Sequence, residues 1–393
     1  MPPFSDLRPT WAEINLDNIA FNLRGVRQLT GRPVMAVVKA NAYGHGAREV
    51  ARTVLEEGAS FLGVAVVEEG IELRRAGISA PILILGATLP QQAALVVQHD
   101  LRATVFSFPL AEALSRASIA LGKPALVHVK VDTGMGRIGL IPLEVPEFIM
   151  QMSRLPGLIF EGLFTHFSSA DEADKSYTQK QLFLLEGVLK ELRTRGIRPP
   201  LVHAANSAAL LDFPPSYLDL VRLGISLYGY YPSREVRREI PLKPALTWKS
   251  TIVHLKKVPV GTPISYGRTY QTAGMEVIAS LPVGYADGYS RALSNRGQVL
   301  VRGCRARVVG RVCMDQTMVR LDHLPDAAVG DEVVLLGTQG QETIEADEMA
   351  AWQDTISYEI LCGIGRRVPR IYIKKGKPEP AKRYQDDETL TLM

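Results

Sequence analysis

Along the N-terminal part of the chain, short and almost uninterrupted apolar runs alternate with longer amphipathic stretches. The runs are Val34–Ala40, Phe61–Val67, Pro81–Gly86, Leu101–Ser107, Ala125–Asp132, Leu158–His166, Leu201–Ala205 and Leu218–Leu227. Each is rich in Val, Ile, Leu or Phe without strict polar alternation, the pattern of strands buried on both faces. Between them lie helical signals. Asp17 is placed to cap a helix over Asn18–Leu29, and Glu68–Arg75 carries apolar residues at helical spacing. Pro109–Leu121 opens with proline, and the amphipathic run Lys175–Arg195 stops at Gly196.

Strand and helix alternation alone fits either a doubly wound sheet or a barrel, and the count of eight runs favours a (β/α)8 TIM barrel over residues 11–244. That length is close to the ~250 residues typical of the fold. After Pro244 the texture changes. Trp248–Lys257, Met275–Pro282, Gln298–Arg302, Arg305–Met314, Thr317–Leu321 and Glu332–Leu336 read as short strands separated by glycine turns. The expected fold class is therefore α/β, an N-terminal (β/α)8 TIM barrel followed by a C-terminal all-β domain. That second domain should span residues 245–375, joined by the N-terminal segment 1–10, with residues 376–393 as a flexible tail.

Composition narrows the classes. At roughly 150 residues per domain, 393 residues allow two or three domains. The 45 basic and 41 acidic residues leave a net charge of +4, too thin and too scattered for a nucleic-acid partner. A hydrophobic content of 46% against 22% charged excludes bulk disorder. Cys304, Cys313 and Cys362 are too few and too dispersed for a disulfide framework or a metal site. The first eleven residues hold no apolar core of a signal peptide. Ala76–His99 lacks charge but is broken by Pro81, Gly86 and Pro90, so strand, loop and helix describe it better than a membrane span. A soluble cytoplasmic protein is expected.

In a barrel, chemistry collects at the C-terminal ends of the strands. There stand Lys39, Lys130 with Arg137 in the loop after it, His166, His203 with Asn206 and Ser207, and Arg222 with Gly224 and Ile225. A lysine at a buried strand end can lose its charge by desolvation and attack a carbonyl, or it can pair with an acidic neighbour at the rim. Asn206-Ser207 and Gly224-Ile225 follow strands seven and eight, where barrels build phosphate sites. Together with Lys39 they suggest an aldehyde cofactor with a phosphate handle, pyridoxal 5'-phosphate.

The segment Ala36-Val-Val-Lys-Ala-Asn-Ala-Tyr-Gly-His-Gly46 resembles the cofactor-lysine signature of alanine racemases. His203-Ala-Ala-Asn-Ser207, Val221–Tyr230, Pro263-Ile-Ser-Tyr-Gly267, Ala286-Asp-Gly-Tyr289, Gly310-Arg-Val-Cys-Met-Asp315 and Ile356-Ser-Tyr-Glu-Ile-Leu361 resemble further segments of that family, in family order. One departure is Leu223, where many members carry proline. The resemblance implies two-base interconversion of L- and D-alanine, with D-alanine passing to peptidoglycan synthesis. It implies that Lys39 carries pyridoxal phosphate on its ε-nitrogen and serves the D face, while Tyr266 serves the L face. An ordinary tyrosine titrates near ~10, so Tyr266 needs help from charge or hydrogen bonds, which His166 and Arg222 would provide. Arg222 would face the pyridine nitrogen, with His203 supporting it. Tyr43, Asn206, Ser207, Gly224, Ile225 and Tyr358 would form the phosphate site. Arg137 and the Met314 backbone would hold the substrate carboxylate. Lys130 matches a lysine carbamylated in some members, and the same modification is expected here. A homodimer with shared active sites is implied.

Without the resemblance, Tyr266 reads as a hairpin aromatic and Arg222 as a salt-bridge partner. Other readings are a racemase for serine or for a broader set of amino acids, and a non-catalytic pyridoxal phosphate carrier. A carrier would resemble only the barrel half. A decarboxylase of related architecture would place an acidic residue where Arg222 stands.

Overall fold

The computed structural model describes residues 8–378. Residues 379–393 of the expected tail and residues 1–7 of the N-terminal segment lie outside the described residues. The described chain packs as two compact units. One comprises Asn18–Ala42 and Gly46–Pro244, and the other gathers residues 8–17, Tyr43–His45 and residues 245–378.

The first unit is built on eight parallel strands: β2 (Val34–Val37), β3 (Phe61–Val64), β4 (Ile82–Ile84), β5 (Arg102–Val105), β6 (Ala125–Lys130), β7 (Leu158–Phe164), β8 (Leu201–His203) and β9 (Val221–Leu223); β1 (Thr10–Asn15) belongs to the other unit. Each strand pairs with the next from β2 to β8, and β2 also pairs with β9. The seam between β8 and β9 is bridged by the Asp219 N–H donating to the Val202 carbonyl (3.0 Å) and the Arg222 N–H to the Ala205 carbonyl (3.0 Å). All eight apolar runs form strands at the expected places, though each strand is shorter than its run. Most of the surplus residues begin the loops at the carboxyl ends, whereas Pro81, Leu101 and residues 218–220 lead into their strands.

Helices such as Val67–Arg75, Phe108–Leu121 and Ser176–Thr194 lie between the strands. Asp17 departs from its expected role. The first helix, Leu16–Thr30, begins ahead of it, and its carboxylate instead accepts the backbone N–H groups of Lys375 (3.0 Å) and Gly376 (3.1 Å). No helix among the described residues is long and apolar enough to cross a membrane.

The second unit is mostly β. Its strands are β10 (Leu246–Thr251), β11 (His254–Val258), β12 (Pro263–Ile264), β13 (Tyr270–Gln271), β14 (Glu276–Leu281), β15 (Gln298–Val301), β16 (Cys304–Arg307), β17 (Thr317–Arg320), β18 (Glu332–Gln339), β19 (Glu342–Ile344), β20 (Arg370–Lys374) and β21 (Lys377–Pro378). The strand β1, near the start of the chain, runs antiparallel to β10 and parallel to β20 in the centre of the larger sheet.

Two expected strands change form. The run Trp248–Lys257 is two strands, because the chain crosses from β18 in one sheet to β14 in another. Ile252 exchanges backbone bonds with Gly330 and Asp331, and the next amide, Val253, donates to Ser280. The run Arg305–Met314 stays in the sheet only through Arg307. Gly310, at φ +75°, turns the backbone so closely against Ile264 and Ser265 that a Cβ would lie 2.8 Å from each. Two short helices, Ala346–Ala351 and Ser357–Gly363, interrupt the otherwise β-rich unit.

Candidate active site

Lys39 lies just beyond β2, half-buried, and the backbone after it is unusual. Ala40, Asn41, Ala42 and Tyr43 have φ values of 52°, 53°, 54° and 51°, a full left-handed turn made of residues with side chains. Each such residue costs about 1–2 kcal/mol relative to the right-handed form, so the surroundings must hold the turn in place. They do so at several points. The Ala42 N–H donates to the Val38 carbonyl (2.8 Å), and the Ala40 N–H donates to the Glu69 carboxylate (2.6 Å). The Asn41 side chain accepts the first amide of the next helix, from Ala47 (2.8 Å). The lysine is thereby mounted on a braced segment rather than a loose loop.

On the neighbouring strand stands Arg222, buried in β9 and in register with Met35 of β2. Its Nη1 donates to His203 Nδ1 (2.7 Å), and its Nη2 contacts the Thr165 carbonyl (2.8 Å), the Ala204 carbonyl (2.8 Å) and His166 Nδ1 (3.1 Å). Its partners are imidazoles and carbonyls, so the salt-bridge reading of this residue does not hold. Burial and the Arg137 guanidinium pull its pKa down to about 9, which leaves it charged at neutral pH. Because a guanidinium only donates, both histidine Nδ1 atoms must accept and both protons sit on Nε2. Burial and Arg222 push His166 and His203 well below the usual histidine range, so both are neutral.

His166 follows β7 in a loop pinned by the buried Gln181. The Gln181 amide donates to the His166 carbonyl (3.1 Å) and accepts the Ser168 N–H (3.0 Å). Lys130 ends β6, buried, with its Nζ 4.4 Å from the Phe164 ring centroid. Burial, Arg222 and Arg137 push this amine well below the ordinary lysine range. Arg137 itself is exposed.

The loops after β8 and β9 meet through one hydroxyl. Ser207 Oγ accepts the Gly224 N–H (2.9 Å), which sets the backbone of Gly224 and Ile225 beside the start of the short helix Ser207–Asp212. Asn206 caps that helix, its side-chain oxygen accepting the Ala209 N–H (3.1 Å), and its amide reaches the Phe167 carbonyl (3.3 Å). A short extra helix at this point of a barrel is the usual phosphate cradle. The first unit thus brings together Lys39, Lys130, His166, His203, Asn206, Ser207, Arg222, Gly224 and Ile225 at the carboxyl ends of its strands.

The remaining residues belong to the second unit. The Tyr43 ring lies 6.1 Å from that of Tyr358. Burial, and then the Tyr358 and Cys362 charges, raise the Tyr43 pKa, so its phenol stays protonated and able to donate. Tyr266 follows β12 on a tight turn fixed by the Ser265 hydroxyl, which donates to the Arg311 carbonyl (2.6 Å). Its side chain is 71% exposed and that of Met314 is 53% exposed. The Met314 carbonyl accepts the Ala286 N–H (3.0 Å).

Sequence reasoning passed over His128, Glu161 and Gln181. The signal for the first two was a polar residue inside an apolar strand run, and for Gln181 a polar residue on the buried face of a helix.

Two family models match successive parts of the chain. The alanine racemase N-terminal domain matches residues 14–232 and the alanine racemase C-terminal domain matches residues 245–372. An alanine racemase of Halothermothrix orenii is 53% identical over 370 residues, covering 94% of this chain and 98% of the relative. Among solved structures, alanine racemase of Clostridium difficile 630 superposes with a TM-score of 0.92 at 43% identity, covering 96% of this chain and 98% of that one. The alanine racemase from Bacillus anthracis, solved with bound L-Ala-P, gives a TM-score of 0.93 at 40% identity over 98% of this chain and 100% of its own. A carrier reading would leave the second half unmatched, and it falls here. With matches across both halves and near-complete coverage, the chain belongs to the alanine racemase family of pyridoxal-phosphate-dependent isomerases.

Proposed function

We propose that Lys39 and Tyr266 are the two bases of this racemase, one for each face of the alanine Cα. The observation that carries the reading is the cluster around Arg222: a charged, donor-only group buried in the strand next to the one that ends in a lysine mounted on a left-handed turn. Such a donor set fits pyridoxal phosphate. Lys39 would hold its carbonyl carbon, Arg222 its pyridine nitrogen, and Tyr43, Asn206, Ser207, Gly224, Ile225 and Tyr358 its phosphate. When bound, the cofactor supplies an electron sink that makes the alanine Cα–H acidic.

The chain's own residues then move the protons. Lys39, with its amine free, would take or return the proton on the D face. Tyr266 does so on the L face. His166, with Nδ1 accepting from Arg222, carries its proton on Nε2 and would offer it to the tyrosine oxygen. Arg222 does not give up its proton cheaply, so beside the ring nitrogen it would limit charge delocalisation into the ring and disfavour side reactions such as transamination. Arg137 and the Met314 backbone would hold the substrate carboxylate. The neutral amine favoured at Lys130 by burial is the form that adds to carbon dioxide, losing one proton to solvent and leaving a carbamate to orient Arg137.

We further propose a homodimer in which Tyr266 and Met314 come from the second subunit. Tyr266, Met314, Tyr285 and Ile356 of the second unit are each exposed, large side chains that a second subunit would cover. The three free thiols suit the reducing cytoplasm.

Deuterium exchange at Cα of L- and D-alanine in D2O tests both proposals. The wild type is expected to label both enantiomers. Tyr266→Phe should lose L-alanine exchange first, by about a hundredfold or more. Mixing Tyr266→Phe with Lys39→Ala subunits should restore exchange if sites are shared. Equal loss for both enantiomers in Tyr266→Phe would overturn the two-base assignment, and no rescue on mixing would overturn the shared site.

A further inference from the structure

The hydrogen bonds of Arg222 do not end at His203. His203 Nε2 meets His128 Nδ1 at 3.0 Å, and His128 Nε2 meets the Glu161 carboxylate at 3.0 Å. Arg102 closes the line on the other side of Glu161 at 3.4 Å. Both histidines are fully buried in the barrel interior, and Glu161 is half-buried. A line of four side chains therefore crosses from the strand ends that carry the chemistry to a carboxylate lower in the barrel.

Local structure is shaped around this line. The pairing of β6 with β7 is in register through Val127 and Phe160, then resumes at His128 and Gly162, which leaves Glu161 as the extra residue of a bulge. Bulges re-aim a side chain at the cost of a ladder bond and are uncommon between parallel strands. This one turns Glu161 toward His128. The next residue, Gly162, has no room for a side chain, since a Cβ there would lie 2.4 Å from His128 Nδ1. The Phe164 ring stacks on His203 at 4.6 Å with only 9° between the planes, which fixes that imidazole's orientation.

The direction of the line follows from its ends. Arg222 only donates, so His203 Nδ1 is bare and its proton is on Nε2. That proton goes to His128 Nδ1, so the His128 proton is on Nε2 and goes to Glu161. A carboxylate only accepts, so the last link is satisfied with no proton to spare. Burial lowers the pKa of both histidines, outweighing the raising pull of Glu161 on His128. Burial opposes ionisation of Glu161, but bonds from His128 and Arg102 prevail and hold it below the usual carboxylate range.

We propose that Glu161 is a positioning residue for Arg222, acting through His128 and His203 to lock both imidazoles in the Nε2–H form. Without an acceptor at position 161, His128 is free to place its proton on Nδ1. It would then face the His203 proton, and the conflict passes up the line to Arg222. The inference rests on Arg222 acting at the cofactor, as proposed above.

The test is 15N NMR of histidine-labelled holoenzyme at neutral pH, beside steady-state kinetics of Glu161→Gln and Glu161→Leu. In the wild type, His128 and His203 should both appear as neutral Nε2–H imidazoles. Glu161→Gln keeps an acceptor oxygen and should keep both tautomers with kcat near wild type. Glu161→Leu should mix the tautomers at His203, two links away, and lower kcat about tenfold with KM for alanine unchanged. An Nδ1–H tautomer at either histidine in the wild type overturns the proposal, even if Glu161→Leu does not fold. So does an unmixed His203 or an unchanged kcat in a folded Glu161→Leu. Failure of the racemase reading is separate, because it appears as absent exchange in the wild type.

Discussion

Arg222 and Gly162 mark two ways in which one residue controls this site. Arg222 acts by what it cannot do: a guanidinium accepts no hydrogen bond, so every group around it must present an oxygen or a bare nitrogen. Gly162 acts by what it lacks, the carbon that would collide with His128. Gly162→Ala should destabilise the chain by about 1–3 kcal/mol, because the barrel interior has no space into which the ring can retreat. Urea denaturation measures that cost, and a variant as stable as wild type would show that the ring is loosely held. The two residues differ in how visible they were in the sequence. Arg222 stands inside the eighth apolar run, and the resemblance of the surrounding segment singles it out. Gly162 reads as an ordinary strand glycine until the ring beside it is known, since nothing local connects β7 to position 128.

At the scale of elements, the segment after β2 is the most informative. Four consecutive left-handed residues form a turn that no propensity favours, yet its backbone bonds reach Val38 and Glu69 and its Asn41 side chain caps the following helix. Ala40 is exposed, so its methyl contributes conformational strain without packing. Ala40→Gly should therefore stabilise the fold by about 0.5–1 kcal/mol, the relief of left-handed strain less the added unfolded-state entropy. A lower midpoint in chemical denaturation would contradict that account. The barrel strands themselves were legible because continuous apolar runs have few other uses. The β-rich unit was less so. A run such as Trp248–Lys257 looks like one strand, and only the change of pairing partner from β18 to β14 divides it. The strand β20 and the helix Ser357–Gly363 carry too weak a periodicity to stand out alone.

At the scale of the molecule, distant parts of the chain are tied together by buried charge. Asp287 is inaccessible to solvent and receives the Arg8 guanidinium, Arg367 Nε (2.6 Å) and the Gly284 N–H (3.0 Å). Burial alone would raise its pKa, but these donors prevail and hold it below the usual carboxylate range. Its folded-state pKa is therefore depressed, so its contribution is present above the unfolded value of about 4 and is lost as pH falls through the folded value. Asp287→Asn should cost about 3 kcal/mol at neutral pH. The gap to wild type should stay flat down to about pH 5 and narrow below about pH 4. A gap that does not change with pH would show that shape rather than charge is what Asp287 supplies. The sequence by itself determined the barrel and the two-part organisation, because apolar runs and their change of texture are local properties of the chain, while the residues proposed to meet the cofactor were legible through motifs that resemble alanine racemase segments. Only the tertiary structure decided the company those residues keep: the bulge at Glu161, the line of imidazoles behind Arg222, the strand β1 between β10 and β20, and the gathering of Arg8 and Arg367 on Asp287. These depend on which strands become neighbours, and neighbour choice is set by closure of whole sheets rather than by any stretch of sequence.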